Sequence, residues 1–147
     1  MTPFLLHGGS NSPKLPPAAF HDERSRQQSA SPRVLVVDDE TLIADTLVQI
    51  LNRNGFVATA AYSGAAAIER VRIERPDLVL SDVMMPNIDG VEAAIAIREI
   101  SPQTRIVLIS GQAATVEILS RARARGHDFE LLPKPIHPTQ LLKHLKQ

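Results

Sequence analysis

The sequence predicts a doubly wound α/β domain built on a five-stranded parallel sheet, and three observations carry that prediction. Short, mainly apolar runs recur five times between Val34 and Leu132, and the first, Val34 to Val37, has no polar face, as expected of a central strand covered on both sides. Each run is followed by a segment with helical spacing, and strict alternation of this kind implies right-handed crossovers onto one parallel sheet. Polar residues gather just after the runs, where the carboxyl ends of the strands would form the ligand-binding edge of such a sheet.

Composition bounds the function. A chain of 147 residues, 44% of them hydrophobic, has the length of one domain and enough apolar content to bury a full core. Sixteen basic residues balance sixteen acidic ones, so no bulk field draws the molecule to nucleic acid or to an anionic membrane. The absence of cysteine excludes disulfides and thiolate metal sites. No apolar run approaches the roughly 20 residues that span a bilayer, and Met1 to Gly9 lacks a basic leader. The expectation is a cytoplasmic protein without membrane attachment.

Residues 1–32 hold Pro3, Pro13, Pro16, Pro17 and Pro32 among Gly, Ser and Gln. Such a stretch buries too little surface to offset its ordering entropy, and a disordered Pro/Ser-rich arm is expected. From Arg33 the pattern changes. Val34-Leu35-Val36-Val37 is the first strand, ended by Asp38-Asp39-Glu40. A helix from Thr41 to Asn54 places Ile43, Leu47, Ile50 and Leu51 on one face, with Gly55 as its stop. Phe56 to Ala60 makes a weaker second strand, and a second helix runs from near Ser63 to before Pro76.

The third strand organises the rest. Leu78-Val79-Leu80-Ser81 ends at Asp82, and Met85-Pro86-Asn87 with Asp89-Gly90 carries turn chemistry that delays the next helix. Asp82 is thereby left at the mouth of a loop. A third helix continues from Val91 to Ile100, and Ser101-Pro102 breaks it. Arg105 to Ile109 is the fourth strand, ending at Ser110-Gly111; a fourth helix covers roughly Ala113 to Arg125 and stops at Gly126. Phe129-Glu130-Leu131-Leu132 leads to Pro133-Lys134-Pro135, and Pro138 opens a last helix with Leu141, Leu142 and Leu145.

Four strand ends therefore contribute Asp38 and Asp39, Asp82, Ser110 and Lys134 to one edge. A pair of like charges costs about 4 kcal/mol at 4 Å with an effective dielectric near 20, so either a carboxylate stays protonated or a cation neutralises the group. A hard divalent ion is the simpler answer, and oxygen ligands without Cys or His favour Mg²⁺. Such an ion commonly meets a substrate phosphate, which points to phosphoryl transfer. In that scheme Asp82 is the nucleophile, Asp38 and Asp39 hold the metal, Lys134 gives a fixed positive charge to the phosphoryl oxygens and the Ser110 hydroxyl donates to one of them.

The ordered set Val37-Asp38-Asp39-Glu40, Ser81-Asp82-Val83-Met84-Met85-Pro86, Asp89-Gly90, Ile109-Ser110-Gly111 and Lys134-Pro135 resembles the receiver domain of bacterial two-component response regulators, over about Arg33 to Gln147. The resemblance implies a five-stranded flavodoxin-like receiver fold over residues 33–147 and phosphorelay signal transduction. It implies that Asp82 takes a phosphoryl group from a phosphohistidine on a sensor histidine kinase or histidine phosphotransfer protein. It further implies that Asp39, Asp82 and the Met84 carbonyl bind Mg²⁺ directly and Asp38 through water, that Ser110 is the switch hydroxyl, and that the Lys134–Pro135 peptide is cis. A domain of this kind is not an ordinary enzyme; it catalyses only its own phosphorylation and dephosphorylation. Where the family carries a switch aromatic, this chain has Leu131, and Pro133 makes an unusual Pro-Lys-Pro segment. With no helix-turn-helix in view, a stand-alone receiver without direct DNA binding is expected, reading out to an unknown downstream protein through helix four, strand five and helix five.

Other readings compete. An aspartyl-phosphate hydrolase would want a second acid one turn from the nucleophile and a cap domain. A flavodoxin-like cofactor binder would need a Gly- or Ser-rich loop after strand one, where Asp38-Asp39-Glu40 would instead repel phosphate. A receiver-shaped interaction module that is never phosphorylated is the main alternative. Arg121, Arg123 and Arg125 do not share one helical stripe and read as a solvated face. His7, His21, His127, His137 and His144 read as surface residues, and Met84 and Met85 as packing or loop-lining groups.

Overall fold

Parallel strands cannot be joined by tight turns, so each apolar run must be followed by a crossover. The computed structural model, which describes residues 30–111 and 114–147, shows that alternation in full. Its elements are β1 (Arg33–Val37), α1 (Thr41–Asn52), β2 (Val57–Ala61), α2 (Gly64–Glu74), β3 (Leu78–Asp82), α3 (Gly90–Ile100), β4 (Arg105–Ser110), α4 (Ala114–Ala124), β5 (Glu130–Pro133) and α5 (Pro138–Leu145). The sheet is wholly parallel with the order β2-β1-β3-β4-β5, which puts β3 at its centre. Pro32–Gln147 form one unit. The arm expected over residues 1–32 lies, apart from Ala30 to Pro32, outside the described residues.

Strand residues alternate between two cores. Leu35, Val37, Val79 and Leu108 pack with Ala67 and Val71 of α2, Val91, Ala94 and Ile97 of α3 and Ala122 of α4. Val34, Val36, Leu80, Val107 and Ile109 pack with Ala44 and Leu51 of α1 and Leu141 and Leu145 of α5. Leu35, Leu80 and Leu108 are at most 1% exposed, each contributing about 1.5–3 kcal/mol by burial.

Element ends follow local chemistry. Ser63 caps α2 by accepting from the Ala66 N–H at 3.0 Å, and Asp89 caps α3 by accepting from the Glu92 N–H at 2.8 Å. Gly55 and Gly126 adopt positive φ beyond α1 and α4, as expected of stops. Helices α1 and α4 end two and one residues earlier than expected, at Asn52 and Ala124, and β2 and β5 each begin one residue later. The face of α1 also differs. Ala44, Leu47, Val48 and Leu51 turn to the sheet, whereas Ile43 is 37% exposed at the margin. Ala44 and Leu51 are fully buried against the strands, with Leu47 and Val48 packed beside them.

Edge strand β2 is covered by side chains. Asn52 accepts from the Ala58 N–H at 2.7 Å and donates to the Ala58 carbonyl at 3.4 Å, while Arg70 donates to the Ala60 carbonyl at 3.1 Å. These contacts satisfy backbone groups that would otherwise invite strand addition.

Candidate functional site

Strand order determines which carboxyl ends are neighbours. β1 and β4 flank β3, so Asp38 and Asp39, which follow β1, stand beside Asp82 at the tip of β3. One carboxylate oxygen from each of the three acids lies within 4.8 Å of the others. Asp38 and Asp82 are 3% and 5% exposed, and Asp39 is exposed.

Lys134 reaches the group from the segment after β5, with Nζ 3.3 Å from Asp82 Oδ1. Its peptide is cis to Pro135, as the resemblance implied, and its N–H donates to the Ser110 carbonyl at 2.8 Å. Ser110 is buried at the end of β4, in register with Pro133. Met84 is 44% exposed in the loop after Asp82, whereas Met85 is 8% exposed and belongs to the core. The segments expected to converge therefore do so, with Asp38, Asp39, Asp82 and Lys134 at one point and Ser110 on the adjoining strand end.

The electrostatics follow from this crowding. Burial pushes the Asp38 carboxyl above the ordinary carboxylate range; the Glu40 N–H, which donates to Asp38 Oδ1 at 2.9 Å, opposes that shift. Repulsion from Asp82 raises it further, Lys134 lowers it and Asp39 raises it. With all three acids ionised, one ammonium leaves two negative charges uncompensated. An oxygen-only donor set of this charge suits a hard divalent cation such as Mg²⁺ and offers nothing to a soft one.

Two features go beyond what the sequence indicated. Gly90 is more than turn chemistry, because a Cβ there would lie 2.1 Å from the Asp82 carbonyl oxygen and 2.8 Å from Val83 Cα. The first turn of α3 thus rests directly on the backbone of the central strand. Beside the acids runs a groove of about 480 Å³, lined by Asp38, Ile43, Leu47, Ile109, Lys134 and Ile136 among others. Its apolar margin includes the Ile43 that α1 turns away from the core.

Other residues fall away from the site. Arg121, Arg123 and Arg125 are exposed and paired with Glu117, Asp128 and Glu92 at 4.0, 3.3 and 3.1 Å, which matches the solvated face expected of them. Two histidines of the surface set have partners. His127 is half-buried and stacks on Phe129, with centroids 6.2 Å apart, and half-buried His144 lies 3.0 Å from Glu130. His137 is exposed, and His7 and His21 lie outside the described residues. No helix among the described residues is long and apolar enough to cross a membrane.

Comparison with known proteins bears on the same residues. The sequence profile of the response regulator receiver domain matches residues 34–146. Chemotaxis protein CheY of Bacillus subtilis is 33% identical over 116 residues, covering 78% of this chain and 95% of that protein. Response regulator MprA of Mycobacterium ulcerans is 32% identical over 116 residues, covering 79% of this chain; the chain spans about half, 49%, of that relative's length. Among solved structures, Vibrio cholerae CheY4 superposes with a TM-score of 0.71 at 28% identity, covering 80% of this chain and 98% of that one. A CheY-like receiver domain protein from Methanospirillum hungatei gives 0.71 at 26% identity, covering 79% and 91%. With the acids, the lysine and the sheet order all in place, this chain belongs to the receiver domain family of two-component response regulators, the signalling domains of phosphorelays.

Proposed function

We propose that Asp82 is the phosphoacceptor, taking a phosphoryl group from the phosphohistidine of a sensor histidine kinase or histidine phosphotransfer protein in the cytoplasm. One observation carries this reading. Asp82 is a buried carboxylate at the tip of the central strand, with an ammonium 3.3 Å away and two further acids within 4.8 Å. A carboxylate there can act as a nucleophile while its neighbours handle charge.

Asp39 and Asp82, with the Met84 carbonyl, would hold Mg²⁺ directly, and Asp38 would act through water. Such an ion supplies charge neutralisation and orientation of the phosphoryl oxygens. The residues of the chain do the rest. An Asp82 carboxylate oxygen attacks phosphorus, the O–P bond forms as the P–N bond of the donor breaks, and the departing imidazole keeps the electron pair. Lys134 balances the charge that accumulates on the phosphoryl oxygens, and the Ser110 hydroxyl turns to donate to one of them. A phosphoryl group brings about −1.5 to −2 charge to this edge, and the response passes through α4, β5 and α5 to a downstream protein. Leu131 stands 40% exposed on β5, so the signal travels there without an aromatic ring.

The test is incubation with Mg²⁺ and acetyl phosphate followed by intact mass. The wild-type chain gains one phosphoryl group, Asp82→Asn gains none, and chelation of Mg²⁺ abolishes labelling. An unmodified wild-type chain would refute phosphotransfer and favour an interaction module that is never phosphorylated.

A further inference from the structure

Gly64 opens α2 with right-handed backbone, so no positive φ explains a glycine there. Alanine is the better helix former by roughly 1 kcal/mol in a helix interior. Space supplies the reason. A Cβ at Gly64 would lie 2.9 Å from the Ile88 carbonyl oxygen and 3.1 Å from both Ile88 Cβ and Cγ2. The first residue of α2 is therefore a seat for the loop that follows Asp82.

That loop, residues 83–89, is held at three places. At its start the Val83 N–H donates to the Ile109 carbonyl at 3.0 Å. At its close the Gly90 N–H donates to the Val83 carbonyl at 2.8 Å, with Gly90 packed on the Asp82 backbone. Its flank rests on Gly64 through Ile88, next to Asn87 at a φ of 68°. Met84 lies between the first and third of these supports.

We infer that Gly64 is a positioning residue for the metal site: by letting Ile88 seat against α2 it sets how far the loop carrying Met84 stands from Asp82. The inference rests on the proposed reading, in which the Met84 carbonyl is a ligand. A Cβ at residue 64 pushes Ile88 away by a few tenths of an ångström, and a loop pinned at both ends passes that displacement to Met84. Groups that orient a metal ligand typically alter metal affinity 10- to 100-fold when changed.

The experiment compares wild type, Gly64→Ala, Ile88→Gly and the double variant Gly64→Ala/Ile88→Gly. The Mg²⁺ dissociation constant is measured by calorimetric titration without a phosphodonor, the labelling rate with acetyl phosphate at saturating Mg²⁺, and the melting temperature under both conditions. Gly64→Ala weakens Mg²⁺ binding about tenfold while labelling at saturation stays within a few-fold of wild type. Adding Ile88→Gly, which removes the two side-chain contacts at 3.1 Å but leaves the carbonyl contact at 2.9 Å, recovers part of the affinity. A merely structural role would lower the melting temperature and leave the dissociation constant of the folded protein unchanged, and that result overturns the inference. Should Gly64→Ala fail to fold, the double variant is compared with Ile88→Gly alone. The remaining carbonyl contact still requires weaker binding in the double variant, and equal affinities overturn the inference. Wild-type protein that binds Mg²⁺ yet takes no phosphoryl group refutes the phosphoacceptor reading, while weakened binding in Gly64→Ala still supports the role of Gly64. Absence of Mg²⁺ affinity in the wild type overturns both.

Discussion

Removing one of the three clustered acids should make the ion-free domain more stable. Asp38→Asn is the cleanest perturbation, because the amide oxygen can still accept the Glu40 N–H that reaches Asp38 Oδ1 at 2.9 Å. What disappears is a buried charge. At 4.8 Å, the outer limit of the cluster, Coulomb's law gives about 3–4 kcal/mol per like pair with a dielectric near 20. Solvent at the exposed Asp39 and the Lys134 ammonium 3.3 Å from Asp82 offset much of this repulsion, leaving a net gain of about 1–2 kcal/mol. For a domain of this size each kcal/mol raises the melting temperature by about 3–6 °C. The assay is urea unfolding in a chelator and again in excess Mg²⁺. Wild type gains stability from Mg²⁺ and the variant gains little, so their order reverses. The sign with pH follows from Asp38, whose carboxyl titrates above its ordinary value in the folded chain. The folded state then holds its proton more tightly than the unfolded state, so wild-type stability is present below the unfolded value and is lost as pH rises through the folded one. The advantage of Asp38→Asn should therefore grow from about pH 4 upward. A variant less stable than wild type in chelator, or an advantage unchanged in acid, would refute the picture of repelling carboxylates.

Two further predictions concern the frame of the site. Asn52→Ala strips the outer edge of β2 of its partners at Ala58 and should cost about 1–2 kcal/mol in urea unfolding, with increased self-association in sedimentation as the edge opens. Glu130→Gln tests the network in which Arg105 Nη2 and Nε donate to both Glu130 oxygens, at 2.7 and 2.9 Å, while Arg105 Nη1 donates to the Leu145 carbonyl at 3.2 Å. The Arg105 hydrogen bonds are the main cause that holds the Glu130 carboxyl below its ordinary value, against burial and aided by the Arg105 charge and by His144. Its contribution is present above the unfolded value and lost as pH falls through the folded one. The pair is 30% and 40% exposed, so the difference between variant and wild type should be about 0.5–1 kcal/mol near neutrality and should shrink as pH falls below the ordinary carboxylate range. A difference that persists in acid would assign the effect to packing instead.

Much of the fold was legible because its signals are local. The fully apolar runs of β1, β3 and β4 need nothing beyond neighbouring residues to be recognised, and Ser63, Asp89 and Gly126 mark helix ends through short-range hydrogen bonds or backbone conformation. The face of α1 was less legible, because Ile43, Ala44 and Leu47 all fit helical spacing and only packing on the sheet shows that Ala44 is buried while Ile43 stays at the margin. The partner of His144 was hidden for a similar reason. Glu130 lies 14 residues away, on a strand that α5 covers only after the chain has closed.

Sequence alone determined that five strands alternate with helices and that Asp38, Asp39, Asp82, Ser110 and Lys134 each stand at or just past a strand's carboxyl end, since side-chain periodicity and turn chemistry are properties of adjacent residues. Tertiary structure alone decided the order β2-β1-β3-β4-β5, the 3.3 Å between Lys134 and Asp82 and the seat that Gly64 gives Ile88. Those depend on groups remote in the chain, and their separations are set by how two cores pack against a twisted sheet, which no local pattern encodes.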